Sequence, residues 1–576
     1  MTDVADASRH AGGSSVAAAT VEQGRPFVGR VQELRELRAA LEEAATRRGC
    51  LLLVTGEPGI GKSRLMEELA RQLAKQSWRV LVGRCWEHGG APAYWPWMQV
   101  VRAAGSELEA CFPGTPPAAD PEAARFLLFD AVGRFLRAVA GSRPVLVVLD
   151  DLHAADEPSL LLLRFLGQTV TDERLVIVGA YRDAEPRVHE LAELFGDLVR
   201  VGRRLPLRGL SRAEVGGYML RVAGRPPPEA VVARVHDVTA GNPLFVGEVV
   251  RALVAGGDLG TAEGQVTDPM MRLPEELRGL IRRRLAGLST EAVSNLKVAS
   301  VIGREFELSV LQRISRLGVG RLTDALAEAV TAGIVSEDAS APGCYAFSHE
   351  LVREALYDDM SAARRLMLHR SIGLVLEEAF RENLEPHFAE LAHHFTRSAT
   401  LGDAALAVEY STRAGDYAAG LLAYEDAARH YAQALQLLPM LGEGGGDQRC
   451  VLLLRLGDVQ WRAGDTEQAG RSFEEAAAVS DRLGAPETLA RAALGYVTGG
   501  APLRLGLGGL ILTGRFGEET TGIRRLEQAL AALPEGDSSL RAQVLARLAT
   551  ELYPTGQADR RAALGEEAVA MARRLG

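Results

Sequence analysis

Residues 51–63 read LLLVTGEPGIGKS, and the fold follows from how that stretch is read. Leu51 to Val54 form an unbroken apolar run, as expected of a strand buried on both faces. The next eight residues, Gly56, Glu57, Pro58, Gly59, Ile60, Gly61, Lys62 and Ser63, fit G-x-x-x-x-G-K-[ST] at every fixed position, with Arg64 following. Glycines leave backbone N–H groups free to wrap phosphate oxygens, and a helix expected from about Ser63 to Lys75 aims its positive end at the same anion. The spacing predicts Lys62 on the β- and γ-phosphates of ATP or ADP. It predicts the Ser63 hydroxyl on Mg2+, a hard cation that selects oxygen. A glycine turn with no ligand is the competing reading, and the acidic strand downstream argues against it.

That strand is PVLVVLDD, Pro144 to Asp151, a continuous apolar run closed by two acids. Asp150 stands where a Walker B aspartate holds Mg2+ through water, and Asp151 where a water-activating carboxylate is expected. A fourth strand, Leu175 to Tyr181, ends in Arg182, which reads either as a γ-phosphate sensor or as a surface ion pair. Strands alternating with helices over residues 25–204 predict a doubly wound parallel sheet. Ahead of the loop, Val31, Leu34, Leu37, Ala40 and Leu41 share one helical face. The Val28-Gly29-Arg30 turn before them reads as an adenine-side wall or as plain packing. The tryptophan-rich segment after a strand at Arg79–Gly83 reads as loop packing, and His153 as a structural loop residue.

The chain has 576 residues, enough for several domains, with 47% hydrophobic and 24% charged residues. A formal charge of −10 opposes a protein that coats nucleic acid. Cys50, Cys85, Cys111, Cys344 and Cys450 are scattered, which implies neither a zinc site nor a disulfide framework and suits a cytoplasmic setting. No apolar run is long enough to span a membrane.

Residues 1–24 read as a disordered leader. Residues 205–271 read as a helical lid, with Ser211 as N-cap, Glu214 three residues on, and Gly241-Asn242-Pro243 turning into a helix faced by Val246, Val249, Val250 and Leu253. Residues 272–370 read as helix, helix, short helix, helix and an extended hairpin, an order that suits a winged helix, and its Arg278, Arg282, Arg283 and Arg284 read as a solvated face. From 371 to 576 the chain reads as helical repeats. Gly415, Ala427, Tyr431 and Ala434 recur as Gly457, Ala469, Phe473 and Ala476 at an offset of 42 residues, a tetratricopeptide-like spacing. Leu526, Ala529 and Pro534 suggest a third unit and Ala549 to Gly576 a fourth, and a solenoid ending there without a polar cap suggests a truncated chain or a face that meets a partner.

The segments GRVQELRELRAAL, GEPGIGKS, VLDDLHAADEPSL, LVIVGAYRD, TAGNPLFVGEVVRAL and FSHELVREALYDDM, in that order, resemble the signal-transduction ATPases of the AAA/STAND class. The chain is similar to the N-terminal part of large ATP-binding regulators of the LuxR type, with an AAA domain of the origin-recognition type and tetratricopeptide-like repeats. The resemblance implies a switch between ADP and ATP states, with Pro243 of the lid motif and His349 of FSHEL near the nucleotide. It implies transcription regulation, a protein or small-molecule inducer on the repeats and a homo-oligomer, with DNA bound only through a domain absent from this chain. Asp151 replaces the glutamate of fast hydrolysing relatives, which implies slow turnover, and Ala154 stands where the family often has Trp. ATPase-plus-repeat segments of soluble adenylyl cyclases are the alternative resemblance, and no second catalytic domain is visible here.

Overall fold

The structure, a computed structural model, describes residues 26–86, 90–107, 121–256, 285, 287–315, 317–338, 341–348, 350–442, 445–500, 505–506, 509–510 and 519–576. The predicted leader, Cys111, the four arginines at 278–284 and His349 lie outside them. The chain divides into two compact units, Met1–Arg381 and Glu382–Gly576.

In the first unit, α1 (Val31–Ala45), β1 (Cys50–Thr55), α2 (Lys62–Leu73), β2 (Arg79–Arg84), α3 (Trp95–Ala103), α4 (Pro121–Ser142) and β3 (Val145–Asp150) lead to α5 (Glu157–Thr169) and β4 (Leu175–Tyr181). Two further helices, α6 (Pro186–Glu190) and α7 (Ala192–Val201), then lead to β5 (Arg203–Pro206). All neighbouring strands are parallel, in the order β2-β3-β4-β1-β5. Alternate residues of the apolar runs serve opposite faces. Leu52, Val54, Leu146, Val148, Val176 and Val178 share a core with Leu37 and Leu41 of α1 and Leu65 and Leu69 of α2. On the other face Leu51 lies against Gly167 of α5 and Gly202 beyond α7. Each such leucine contributes about 1.5–3 kcal/mol by leaving water.

Three details depart from the sequence reading. Val31 is 65% exposed while the other residues of its predicted stripe are buried, because α1 begins there and its first turn overhangs the sheet. The tryptophan-rich segment forms α3 rather than a loop, with Trp97 fully buried and its Nε1 donating to the Ser159 carbonyl at 3.0 Å. The strand β5 crosses the predicted boundary at 204, and with a single buried residue it carries no hydrophobic run to announce it.

The segment expected to be the lid holds, among the described residues, α8 (Arg212–Ala223), α9 (Glu229–Thr239) and α10 (Pro243–Gly256). Ser211 and Glu214 form the predicted capping box. Beyond it come α11 (Thr290–Ile302), β6 (Glu305–Glu307), α12 (Leu308–Ile314), α13 (Val319–Thr331), β7 (Val335–Glu337), β8 (Cys344–Phe347), α14 (Glu350–Asp358) and α15 (Ala362–Ala379). The three strands form an antiparallel sheet in the order β6-β8-β7. The sequence reading lacked β6, whose three residues bury only Phe306, against Tyr345 and Phe347.

The second unit consists largely of antiparallel helices. Among them are Ala404–Gly420 with Tyr424–Leu437, and Gly446–Ala463 with Thr466–Leu483. A β-carbon on Gly415 would lie 2.5 Å from the Tyr431 ring, and one on Gly457 2.8 Å from Phe473. The repeated Gly and aromatic positions are thus the crossing points of paired helices. The last pair, Ser539–Glu551 and Ala558–Leu575, starts ten residues before the expected fourth unit.

Within Tyr424–Leu437, burial pushes His430 down to about 4, helped by Arg429 and opposed by Asp426. The folded unit therefore holds His430 neutral, whereas the unfolded chain takes up its proton near pH 6.5. Stability that is complete above pH 6.5 is lost as pH falls towards 4. Between pH 7 and pH 4.5 the parent chain should lose about 2–3 kcal/mol more than His430→Leu in urea unfolding followed by circular dichroism. Equal losses in the two chains would refute this.

Candidate functional site

The loop Gly56–Gly61 leaves β1 at the carboxyl end of the sheet, and its carbonyls are all hydrogen-bonded. The Lys62 Nζ donates to the carbonyls of Gly56 at 2.8 Å and Glu57 at 3.1 Å. The Asn242 Nδ2 donates to Pro58 at 3.0 Å, the Leu244 amide to Gly59 at 3.3 Å, and the Arg30 Nη2 to Ile60 at 2.7 Å. In a trans peptide the N–H points opposite the C=O. Holding the carbonyls therefore fixes the amides that follow them, of which the Ile60 amide donates to the Glu57 carbonyl at 3.3 Å. Gly59 sits at φ 77°, and a β-carbon there would lie 2.9 Å from Leu244. Only glycine lets the lid approach so closely. No side chain caps α2, whose N-cap is Gly61 at φ 98°. That leaves its first amides uncapped, an arrangement that suits a phosphate.

The acids lie beyond a neighbouring strand. Ser63 lies close enough to Asp150 to act on its carboxylate, whose Oδ1 accepts from the Asp151 amide at 3.1 Å. Burial pushes Asp150 up from the usual carboxylate range and the charge of Asp151 adds to this, while Ser63, Arg84 and Arg304 pull it back. Burial pushes Lys62 down, Arg182 adds to this, and Asp151, Asp150 and Asp183 oppose it. These groups thus act on one another across the ends of β1, β3 and β4. Among the described residues no three or more His, Cys, Asp and Glu side chains form a metal cage. The paired oxygens of Ser63 and Asp150 fit a magnesium ion whose other ligands are phosphate and water.

The structure brings Lys62, Ser63, Asp150, Asp151 and Arg182 to one end of the sheet. Arg182 donates to Glu185 at 3.1 Å and is largely buried, so it is both ion-paired and within electrostatic reach of Lys62. Glu57 is exposed, and Arg64 pairs with Glu67 at 3.2 Å. Pro243 lies 3.9 Å from a β-carbon built on Gly61. Val28 packs against the lid core of Leu210, Val215 and Tyr218, which joins the entering segment to the lid. Asp151 has φ 57° and its Oδ2 accepts from the Arg304 Nη1 at 2.8 Å. Sequence reasoning missed the grip of Arg30 and Asn242 on the loop, although it singled out both motifs. It gave no signal for Arg304.

Residues 26–178 match the AAA ATPase domain family. An uncharacterized protein of Rhizobium meliloti (strain 1021) is 23% identical over 516 residues, covering 80% of this chain. The chain spans about half, 48%, of that relative's length. A STAND protein with a tetratricopeptide repeat sensor from Pyrococcus horikoshii is similar at 14% identity and TM-score 0.44, over 97% of this chain and 79% of its own. The ORC2 protein of Aeropyrum pernix, solved as ADPNP-ADP complexes, is similar at 15% identity and TM-score 0.30, over 58% of this chain and 96% of its own.

Removing one partner of a buried hydrogen bond costs about 1–3 kcal/mol. Asn242→Ala strands the Pro58 carbonyl, so the free energy of local opening at the Ile60 amide should fall by about that amount in native-state hydrogen exchange. Unchanged protection would show that the lid does not brace the loop.

Proposed function

Starting from the AAA ATPase domain formed by residues 26–178, we propose that the chain is a nucleotide-dependent signal-transduction switch that binds ATP and ADP with Mg2+ and hydrolyses ATP slowly. The observation that carries this reading is the buried Lys62 ammonium folded onto the loop carbonyls at the start of an uncapped α2, with Asp150 and Asp151 acting on it from the neighbouring strand end. Loop amides and the α2 N-terminus would bind the phosphates, and Lys62 would exchange its loop carbonyls for phosphate oxygens. Ser63 and Asp150 would hold Mg2+, which when bound draws charge from the phosphate oxygens and orients them. Asp151 would orient the attacking water. It is one methylene shorter than glutamate and held in a left-handed backbone conformation, and a small misplacement of a reacting group lowers turnover steeply. Arg182 would answer charge on the terminal phosphate.

The repeats would receive the signal. Paired helices crossing at Gly415 and Gly457 build an extended surface suited to a protein or small-molecule inducer. Coupling of nucleotide and inducer to homo-oligomeric assembly requires that each prefer the same state. Output in cytoplasmic transcription regulation, with DNA contacts supplied by a separate domain, extends this proposal and agrees with the net charge of −10. No helix among the described residues is long and apolar enough to cross a membrane.

Lys62→Ala should lower affinity for a fluorescent ATP analogue by roughly a hundredfold or more, about 3 kcal/mol, as loss of a buried charged partner. Undiminished binding would overturn the assignment. Asp151→Asn should leave that affinity within about threefold and slow single-turnover hydrolysis by roughly a hundredfold, the low end for a positioned base.

A further inference from the structure

We propose that Arg304 is a positioning residue of the hydrolytic step and acts on it negatively, engaging the carboxylate of Asp151 so that it cannot orient water while the turn Gly303–Arg304, between α11 and β6, is seated on the sheet. This rests on the reading of Asp151 given above. Arg304 lies 153 residues further along the chain, and its Nη1 donates to Asp151 Oδ2 at 2.8 Å. The Asp151 side chain is 7% exposed and that of Arg304 29%, so the pair is only partly screened by water.

The seating of the turn has a defined register. The next residue, Glu305, accepts from Arg84 Nη1 at 3.0 Å, and Arg84 is paired with Asp150 across β2 and β3. An Arg-Glu pair in the turn thus faces an Asp-Arg pair on the sheet. Sliding the turn by one residue would set Arg304 towards Arg84 in one direction or Glu305 towards Asp151 in the other, like against like. On the preceding side Gly303 lies on the Trp86 ring, where a β-carbon would stand 2.9 Å away. From within the turn, the Arg304 carbonyl accepts from the Phe347 amide at 2.8 Å, fixing the arginine to the three-stranded sheet. Arg304 therefore joins the position of that sheet to the state of Asp151. A carboxylate oxygen that accepts from a guanidinium has one acceptor site taken, and the ion pair rather than water fixes how the carboxylate is turned. Hydrolysis then scales with the fraction of molecules whose turn has left its seat.

The test uses the full chain and two measurements, affinity for a fluorescent ATP analogue and single-turnover ATP hydrolysis. Arg304→Ala should raise the hydrolysis rate by roughly tenfold to a hundredfold, up to the low end of what a positioned base contributes, with affinity within about threefold. Gly303→Val should give a gain of the same sign by wedging the turn off Trp86 without touching a charge, and it serves if Arg304→Ala does not fold. Arg304→Lys keeps the ion pair and should stay slow. Adding Asp151→Asn to Arg304→Ala should erase the gain, an outcome that a general loosening of the protein would not produce. A slower or unchanged rate in both Arg304→Ala and Gly303→Val with affinity intact overturns the proposal. So does a gain that survives Asp151→Asn. Failure of the parent chain to bind the analogue would instead refute the nucleotide reading, and with it this one.

Discussion

The phosphate loop depends on having its carbonyls held. From Gly56 to Ile60 each accepts a hydrogen bond, and the donors come from Lys62, Asn242, the Leu244 amide and Arg30. Fixing the backbone costs about 1–2 kcal/mol per residue, and glycine loses more than any other residue. Donors from three separate stretches offset that cost, so the loop's shape is a tertiary property. The bonds from Asn242, the Leu244 amide and Arg30 preorganise that part of the loop, and a ligand entering such a site has less ordering left to complete.

A second constraint comes from strand order. The chain passes from β1 to β2 and returns through β3 and β4, which inserts β4 between the loop and the acids. In-register pairing matches Leu53, Gly179 and Leu149 across three strands. Their ends are therefore level, and Ser63 meets Asp150 across a strand that delivers Arg182 between them. Gly179 makes the packing possible, since a β-carbon there would come within 2.4 Å of Leu152, in the turn after the acids. Shifting β4 by one residue would reverse every side chain on it and bury the wrong face.

These constraints explain what was legible in the sequence. The loop, both acids, Leu175–Tyr181 and the apolar face of α10 could be read because their signals are local: fixed spacing, unbroken apolar runs and helical periodicity. Gly415 and Gly457 were found by internal repetition. By contrast β5 and β6 bury one residue each and derive their structure from partners far away in sequence. The Val-Gly-Arg turn could be noticed, but nothing in three residues says that the Arg30 guanidinium reaches the carbonyl of Ile60. The same holds for Arg304. A charged residue in a short turn looks like solvated surface until the fold brings it to Asp151.

The residues that sequence alone could not place share a physical character. Arg30, Asn242 and Arg304 are each a single polar side chain reaching from a separate segment into the end of one parallel sheet. Such contacts are strong where they are shielded, yet each is a single hydrogen-bonded link that a rigid shift of its segment breaks at once. Packed cores such as that of α1, α2 and the sheet do not deform continuously, so a segment that shifts moves as a body. The entering helix, the segment 205–256 and the three-stranded sheet are therefore each coupled to the loop and acids they grip. Whatever binds there more tightly in one arrangement than another biases all three together, and by the same amount each of them biases it.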